Sequence, residues 1–253
     1  MRVAYSYKLG HDVNINEVTD TNEIFGCLNR VCPAHYKVRA VNSNVNTHFG
    51  RLPSTRHIKG CVYNFNCQEF LNNTDMIKSD LTSIFQGVKL SRQNVQRSIG
   101  SHILHDTPKY IRTPKQLLYY CLANSLETQY TDKLTVNDII LDNRNLLYNG
   151  NFQGIEGLRL LLGQTVKYDK RSFSIFLKVT SVTANGKNIA LNAEVWLSKE
   201  QFNEILEFIF GTYDSFGGHY IAVLGMWSKT RKYNIETIVE NPKNVIYKFA
   251  VDA

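Results

Sequence analysis

SFSIFLKVTSVTANGKNIALNAEVWL, residues 172–197, decides the fold class because it predicts a β-hairpin. Apolar side chains occupy alternate positions in both halves: Phe173, Ile175, Leu177 and Val179, then Ile189, Leu191, Ala193 and Val195. A strand with one buried face requires this alternation. Asn185-Gly186 tolerates the positive φ angles of a type I′ turn, so the halves pair in antiparallel fashion with Lys187 just after the turn.

Two helix signals flank this hairpin. Thr113 and Gln116, with Pro114 between them, form a capping box, and so do Ser198 and Gln201. The second helix carries an apolar stripe from Phe202 to Ile209, and the helix ends at Gly211. The segments HYIAVLGMW (219–227) and NVIYKFAV (244–251) follow as predicted strands. The predicted fold class is therefore α+β with an antiparallel sheet.

The chain before this region has a different character. Short extended runs, HYKVRAV (35–41) and IKGCVYNF (58–65), alternate with turn residues, and TDMIKSDLTSIF (74–85) predicts an amphipathic helix capped by Thr74. Pro108 and Pro114 place a domain boundary near residue 110. We expect a small β-rich module with one or two helices at 1–110 and an α+β domain at 111–253.

Size and composition exclude several protein classes. A chain of 253 residues with 43% apolar content can bury a substantial core. It has neither a stretch of about 20 apolar residues nor an apolar signal segment near Met1, which predicts an intracellular, cytoplasmic protein without a membrane span. The motifs of P-loop, dinucleotide-binding, nucleophile-elbow and zincin sites are missing from the sequence.

The net charge favours an anionic partner. The chain carries 29 Lys+Arg against 22 Asp+Glu, a formal charge of +7 and a pI near 9.1, which suits nucleic acid. Basic and aromatic residues are interleaved in KYDKRSF (167–173) and SKTRKY (228–233). We predict that five of these cations bind RNA or a nucleotide: Lys167, Lys170, Arg171, Lys229 and Arg231. The alternative for each segment is a solvated basic loop.

Cysteine and histidine residues are concentrated near the N-terminus. Six potential ligands fall within 41 residues: Cys27, Cys32, His35, His57, Cys61 and Cys67. The gaps Cys-x4-Cys and Cys-x5-Cys are looser than the usual zinc spacing, so we favour buried thiols over a metal site. The odd total of five cysteines also fits a reducing compartment.

Three other histidines are candidates for acid–base chemistry. His102 and His105 lie beside Asp106, which could orient an imidazole as a general base. His219 follows two glycines, where the backbone could approach a ligand closely. A surface loop and an edge-strand histidine are the respective alternatives.

Six stretches follow one another in residues 113–253: LLYYCLANSLETQY, LLYNGNFQGIEGLRLLLG, the hairpin with Lys187, LSKEQFNEIL, the strand ending in Met226-Trp227, and the last strand with Tyr247. This order of elements resembles the catalytic domain of the EndoU-type endoribonucleases, particularly the uridylate-specific enzymes of nidoviruses and coronaviruses. The resemblance implies cleavage of RNA through the 2′-hydroxyl, with Lys187 and Tyr247 as catalytic residues.

The two histidines of the family have no counterpart at the matching positions of this chain. Arg159 stands where the family's Gly-Gly-Leu-His motif ends, and Arg144 or Asn145 stands where the other histidine precedes Tyr-Gly-Asp-Phe. The reaction needs a base, an acid and a cation. Arg159 could bind phosphate but cannot accept a proton, so acid–base catalysis requires His219, His102 or His105.

A second resemblance is to the poxins, poxvirus and baculovirus nucleases that cleave cyclic GMP-AMP. It is carried by YSYKLGHD (5–12), RHIKGCVYNFNCQEFL (56–71) and VTSVTANGKNI (179–189). The nearest positions to the family's catalytic residues are Glu17, Phe152 and Glu156. Both resemblances imply a viral origin. Three hypotheses stay open: an endoribonuclease, for which Mn²⁺ dependence is possible and no other cofactor is expected; a catalytically inactive RNA-binding relative; and an interaction protein.

Overall fold

The structure is a computed structural model with an α+β fold, which confirms the predicted class. It describes residues 3–29, 32–41, 47–58, 61, 63–64, 77–87, 110–148, 155–182, 188–212, 216–231 and 234–249. None of the helices in these ranges has the length and apolar character that a membrane crossing needs.

The N-terminal part forms a five-stranded antiparallel sheet. Its strands are β1 (Val3–Ser6), β2 (His11–Asn14), β3 (Phe25–Gly26), β4 (His35–Arg39) and β5 (His48–Arg51), in the order β2-β1-β3-β4-β5. The strands are short, and β3 has only two residues. A sheet this small needs packing against other elements to be stable.

The middle of the chain contains short helices and strands. The helices are α1 (Leu81–Gln86), α2 (Pro114–Ala123), α3 (Val136–Ile139) and α4 (Asn143–Tyr148). Five two- or three-residue strands accompany them: β6 (Ile77–Lys78), β7 (Tyr110–Ile111), β8 (Gln129–Thr131), β9 (Leu134–Thr135) and β10 (Ile140–Leu141).

The capping predictions in this region are partly right. Thr113 caps α2 by accepting a hydrogen bond from the Gln116 amide at 3.2 Å, as expected, but the Gln116 side chain accepts from the Arg112 amide rather than from that of Thr113. The predicted start of α1 is wrong. Asp80 caps that helix by accepting from the Ser83 amide at 3.0 Å, and Thr74 lies outside the described residues.

The C-terminal part is a closed five-stranded barrel. It consists of β11 (Gly157–Asp169), β12 (Ser174–Val182), β13 (Asn188–Trp196), α5 (Lys199–Thr212), β14 (Tyr220–Arg231) and β15 (Asn234–Ile238). The strands are hydrogen-bonded in the order β11-β12-β13-β15-β14, and β14 pairs back onto β11. β13 and β15 are parallel, and α5 connects β13 to β14. This connectivity is that of the OB-fold, a Greek-key barrel.

The hairpin prediction is confirmed, one strand was not predicted, and one predicted strand is shorter in the structure. β12 and β13 pair in continuous antiparallel register from Ser174 with Trp196 to Val182 with Asn188. The strand β11 was not predicted, although it is the longest in the described part of the chain. The last predicted strand shortens to β16 (Val245–Ile246), which pairs with β14. The capping box of α5 forms in both directions between Ser198 and Gln201.

Two hydrophobic clusters meet at β11 and β14. The barrel interior packs with the buried stripe of α5 in one cluster, which includes Leu161, Val223 and Phe202. Alternate residues of the same two strands, among them Leu160 and Leu224, pack outward against α2, α3 and the N-terminal sheet. The outer faces of two of the five barrel strands, β11 and β14, are therefore covered by the rest of the chain.

Candidate nucleic-acid interface

The two basic and aromatic segments occupy two loops of the barrel. Lys167, Lys170 and Arg171 lie at the end of β11 and in the turn to β12, where the Arg171 amide donates to Asp169 Oδ1 at 2.8 Å. Lys229 and Arg231 lie at the end of β14, in the bulged turn to β15. All five cationic side chains are exposed. The remaining residues of the second segment, Lys232 and Tyr233, lie outside the described residues.

The loops border one exposed sheet face. Ser174, at the first loop, is aligned through β13 with Ile238 on β15, two strands away. Asn234, at the second loop, lies four residues before Ile238 on the same strand. Strand spacings of about 4.8 Å and a rise of about 3.3 Å per residue put roughly 16 Å of sheet between them. The surface between the loops is the outer face of β12, β13 and β15.

A polar row crosses this face. Because Leu177 and Val179 point into the barrel, Lys178 points outward. Strand pairing aligns it with one residue on each of the next three strands: Asn192 on β13, Asn234 on β15 and Arg231 on β14. The Asn192 side chain donates to Asn234 Oδ1 at 3.1 Å, which shows that the outward side chains of this row are in contact. The row thus presents a cation at each end and amides between them.

A second row beside it carries an aromatic ring and two carboxylates. Lys167 is paired with Phe176, and its Nζ lies 4.4 Å from the centre of that ring. Phe176 is half-buried. Glu194 and Glu236 follow on the next two strands. The face therefore combines a cation and a ring with a locally acidic centre.

The edge of the face next to the first loop is apolar. Trp196, which is half-buried, pairs with Ser174 on one side and with Ile238 on the other. Ile238 is 70% exposed, the largest exposed fraction among the large hydrophobic side chains in the described ranges. Flat apolar groups beside cations are what a base and its phosphate require together.

Tyr247, a predicted catalytic residue, lies elsewhere. It follows β16 and lines a cavity of about 830 Å³ between α2 and α5. Its hydroxyl donates to Glu204 Oε1 at 2.5 Å, and Lys248 Nζ lies 3.0 Å from the same oxygen. Burial and the hydrogen bond to Glu204 raise the pKa of Tyr247. Arg112, Lys115 and Lys243 also line this cavity, which makes it a second cationic surface.

Arg159 and His219 do not line the cavity beside Tyr247. Arg159 is half-buried on β11, and its Nη1 donates to the Asn137 carbonyl at 3.0 Å. Burial lowers its pKa, and Asp138 opposes that effect. The guanidinium is thus directed at α3 rather than at the exposed face. The His219 backbone exchanges hydrogen bonds with Thr165 at the start of β14.

The position that the EndoU resemblance matched with a histidine holds a buried structural arginine. Arg144 Nη2 lies 2.7 Å from Asp142 Oδ2. The same guanidinium donates to the carbonyls of Asn124 and Cys121 at 3.0 and 3.1 Å. These carbonyls end α2, where a cation is favourable. Arg144 therefore joins α4 to α2.

Several predicted residues lie outside the described part of the chain: Lys187, His102, His105 and Cys67. Val182 and Asn188, which bracket the turn with Lys187, pair with each other. Their pairing fits the predicted hairpin but lies one residue away from the register of a two-residue turn at Asn185-Gly186, which would pair Val182 with Ile189. The catalytic role of Lys187 stays a prediction.

Comparison of this chain with protein-family models, with curated proteins and with solved structures finds no match. The EndoU and poxin resemblances therefore stay predictions.

Three residues that join the two loops into one surface were not predicted as site residues: Lys178, Asn192 and Asn234. The signal was present in the hairpin pattern, since every second residue of both strands must point outward. What was missing was the parallel pairing of β15 with β13, a contact between segments about 40 residues apart in the chain.

Proposed function

We propose that the outer face of β12, β13 and β15 binds single-stranded nucleic acid, RNA or DNA. The observation that carries the proposal is the placement of both basic segments on the loops that border this face. In OB-fold barrels the corresponding face and loops bind oligonucleotides. That statement is an analogy between folds and does not by itself assign a function.

The side chains of the face support the same conclusion. Phe176 and Trp196 offer flat rings on which bases can stack, at about 1–3 kcal/mol per base. Lys178 and Arg231 stand at the ends of the polar row, where they would neutralise phosphates. Asn192 and Asn234 offer amides to base edges. A duplex hides its bases, so only an unpaired strand can use the rings.

The two carboxylates at the centre of the face restrict how a strand can bind. Glu194 and Glu236 would repel phosphates, which favours a strand whose bases rather than backbone lie over the middle of the face. Carboxylates can accept hydrogen bonds from base amino groups. The backbone would then follow the cations of the two loops.

Fluorescence anisotropy with labelled oligonucleotides of about 15 nucleotides, near the upper site size of a single OB-fold, tests the proposal. We expect binding of single-stranded RNA or DNA at low salt, and weaker binding of a duplex of the same length. Phe176→Ala should weaken binding by roughly 5- to 100-fold, as the loss of one stacked base predicts. Tyr7→Ala is the control, because Tyr7 is 54% exposed and follows β1 in the N-terminal sheet, outside the barrel.

Two results would overturn the proposal. One is the absence of binding to any single strand at low salt. The other is an equal effect of Phe176→Ala and Tyr7→Ala. Parallel binding curves for RNA and DNA distinguish a preference for the 2′-hydroxyl from a general affinity for single strands.

RNA cleavage is a further proposal that rests on the EndoU resemblance alone. Incubation with a uridine-containing oligonucleotide, with Mn²⁺ or with EDTA, should leave a 2′,3′-cyclic phosphate if the protein is a nuclease. Lys187→Ala and Tyr247→Phe should then abolish the product. Binding of the oligonucleotide without cleavage would exclude the nuclease activity and support binding only.

A further inference from the structure

Four side chains of the N-terminal part converge at one point. Cys27 directly follows β3, and Cys32 lies three residues before β4. His57 and Cys61 come from the segment after β5. Their ligand atoms all lie within 4.8 Å of one another. His35 belongs to β4 and is not in this cluster, and Cys67 lies outside the described residues.

Local backbone hydrogen bonds hold these residues in place. The Cys27 amide donates to the Ala34 carbonyl at 3.0 Å, which closes the β3–β4 turn. The Cys32 amide donates to the Asn29 carbonyl at 2.9 Å, and the Cys61 amide to the Ile58 carbonyl at 3.1 Å. Each pair of ligands thus sits on its own tight turn, as in small zinc modules.

The distances match a tetrahedral metal centre. Zinc bonds of about 2.3 Å to sulfur and 2.0–2.1 Å to nitrogen imply S···S edges of about 3.8 Å and S···N edges of about 3.6 Å. Cys27 Sγ and Cys61 Sγ are 3.7 Å apart. His57 Nδ1 lies 3.8, 3.2 and 3.2 Å from Cys27, Cys32 and Cys61 Sγ. A disulfide would need about 2.05 Å between sulfurs.

The second nitrogen of the imidazole is held by a partner of the kind that orients metal ligands. His57 Nε2 lies 2.8 Å from the Tyr36 hydroxyl, and the two rings pack edge to face. A hydrogen bond from Nε2–H to this oxygen leaves the lone pair of Nδ1 directed at the three thiols. Metal-bound histidines are commonly oriented in this way.

From this geometry we propose that Cys27, Cys32, His57 and Cys61 bind one structural Zn²⁺. Four protein ligands complete a tetrahedron and leave no position for substrate, so the ion holds the fold and does not catalyse a reaction. It links the two-residue strand β3 and its hairpin to the segment after β5. The three thiols are buried, which protects the site from exchange.

Sequence spacing favoured buried thiols over a metal site because the gaps considered were those from Cys27 to Cys32 and from Cys61 to Cys67. In the structure the second pair is His57 with Cys61, a His-x3-Cys spacing within the range of zinc ligands. Without a metal, hydrogen bonds from Cys27 and Cys61 lower the pKa of Cys32, while hydrogen bonds to Cys32 and Cys61 raise the pKa of Cys27.

Metal analysis of the whole chain tests this proposal. We expect close to one zinc per chain by elemental mass spectrometry after purification without added metal or chelator. Replacement by Co²⁺ should give the intense d–d bands of a tetrahedral site and thiolate charge-transfer bands in the near ultraviolet. Cys61→Ser and His57→Asn should lose stoichiometric metal, whereas Cys121→Ser and His35→Asn should keep it.

The controls match the test variants in residue type. Cys121 is a buried cysteine in α2, and His35 is a histidine close in sequence to the ligands. Zinc well below one per chain together with no Co²⁺ bands in the reduced wild-type protein would overturn the proposal, even if a variant fails to fold. So would a disulfide among the three cysteines, or equal metal loss in the control variants.

Discussion

Lys178→Gln tests the interface through the salt dependence of binding. Lys178 is exposed at one end of the polar row, and glutamine keeps most of its length while removing the charge. If four of the six cations of the face and its two loops contact phosphates, log K should fall against log salt with a slope of about −2.8, since each contact on a single strand contributes about −0.7.

Removal of one contact should reduce this slope to about −2.1. A rise from about 50 to about 200 mM salt would then weaken the wild-type protein roughly 50-fold and the variant roughly 18-fold. Near 0.1 M salt the variant should bind about fivefold more weakly, or about 1 kcal/mol. The loss should be nearly independent of base sequence, because phosphates carry no sequence information.

Anisotropy titrations at four or more salt concentrations give both quantities. Lys243→Gln is the matched control, since Lys243 is exposed and lines the cavity beside Tyr247 rather than the barrel face. An unchanged slope in Lys178→Gln, with a reduced slope in Lys243→Gln, would refute the reasoning and move the binding site to that cavity.

Three further predictions follow from charges described above. Glu194→Gln should strengthen binding about threefold at low salt by removing repulsion of phosphates, and the gain should vanish in salt titrations at high ionic strength. Arg144→Gln should lower stability by about 3–5 kcal/mol in urea denaturation, because it leaves the buried carboxylate of Asp142 without its partner. Asp138→Ala should cost about 1 kcal/mol at neutral pH. The hydrogen bond from the backbone amide of Thr135 lowers the pKa of Asp138 in the folded state. The stabilisation by Asp138 is therefore present above its unfolded pKa of about 4 and is lost as the pH falls through its folded pKa. The denaturation curves of the wild-type protein and the variant should then converge in acid.

The parts of the fold that sequence predicted are those with one buried face. Alternation fixed the register of β12 and β13, and capping residues located α2 and α5. β11 was missed because Leu160, Leu161 and Leu162 are all buried, two against the N-terminal part and one inside the barrel. A strand buried on both faces has no alternation to detect.

The candidate sites could be predicted only in fragments, because their residues come from separate segments. The basic segments could be recognised from their composition. Their position beside one common face depends on the pairing of β14 with β11, which the sequence does not show. From sequence, the Arg159 side chain was expected to be available for binding phosphate. Its contact with the Asn137 carbonyl depends on how α3 packs. Among six candidate ligands near the N-terminus, spacing alone could not select the set that includes His57.

The covering of β11 and β14 by the N-terminal part sets an order of events during synthesis. The surface on which the first strands pack is completed by β14, whose residues follow them by more than 160 positions. Contacts across so much chain form late, because loop closure costs entropy before they stabilise anything. The proposed metal ligands are all made within the first 61 residues. Zinc could therefore hold the N-terminal sheet together on the ribosome until its docking partner exists.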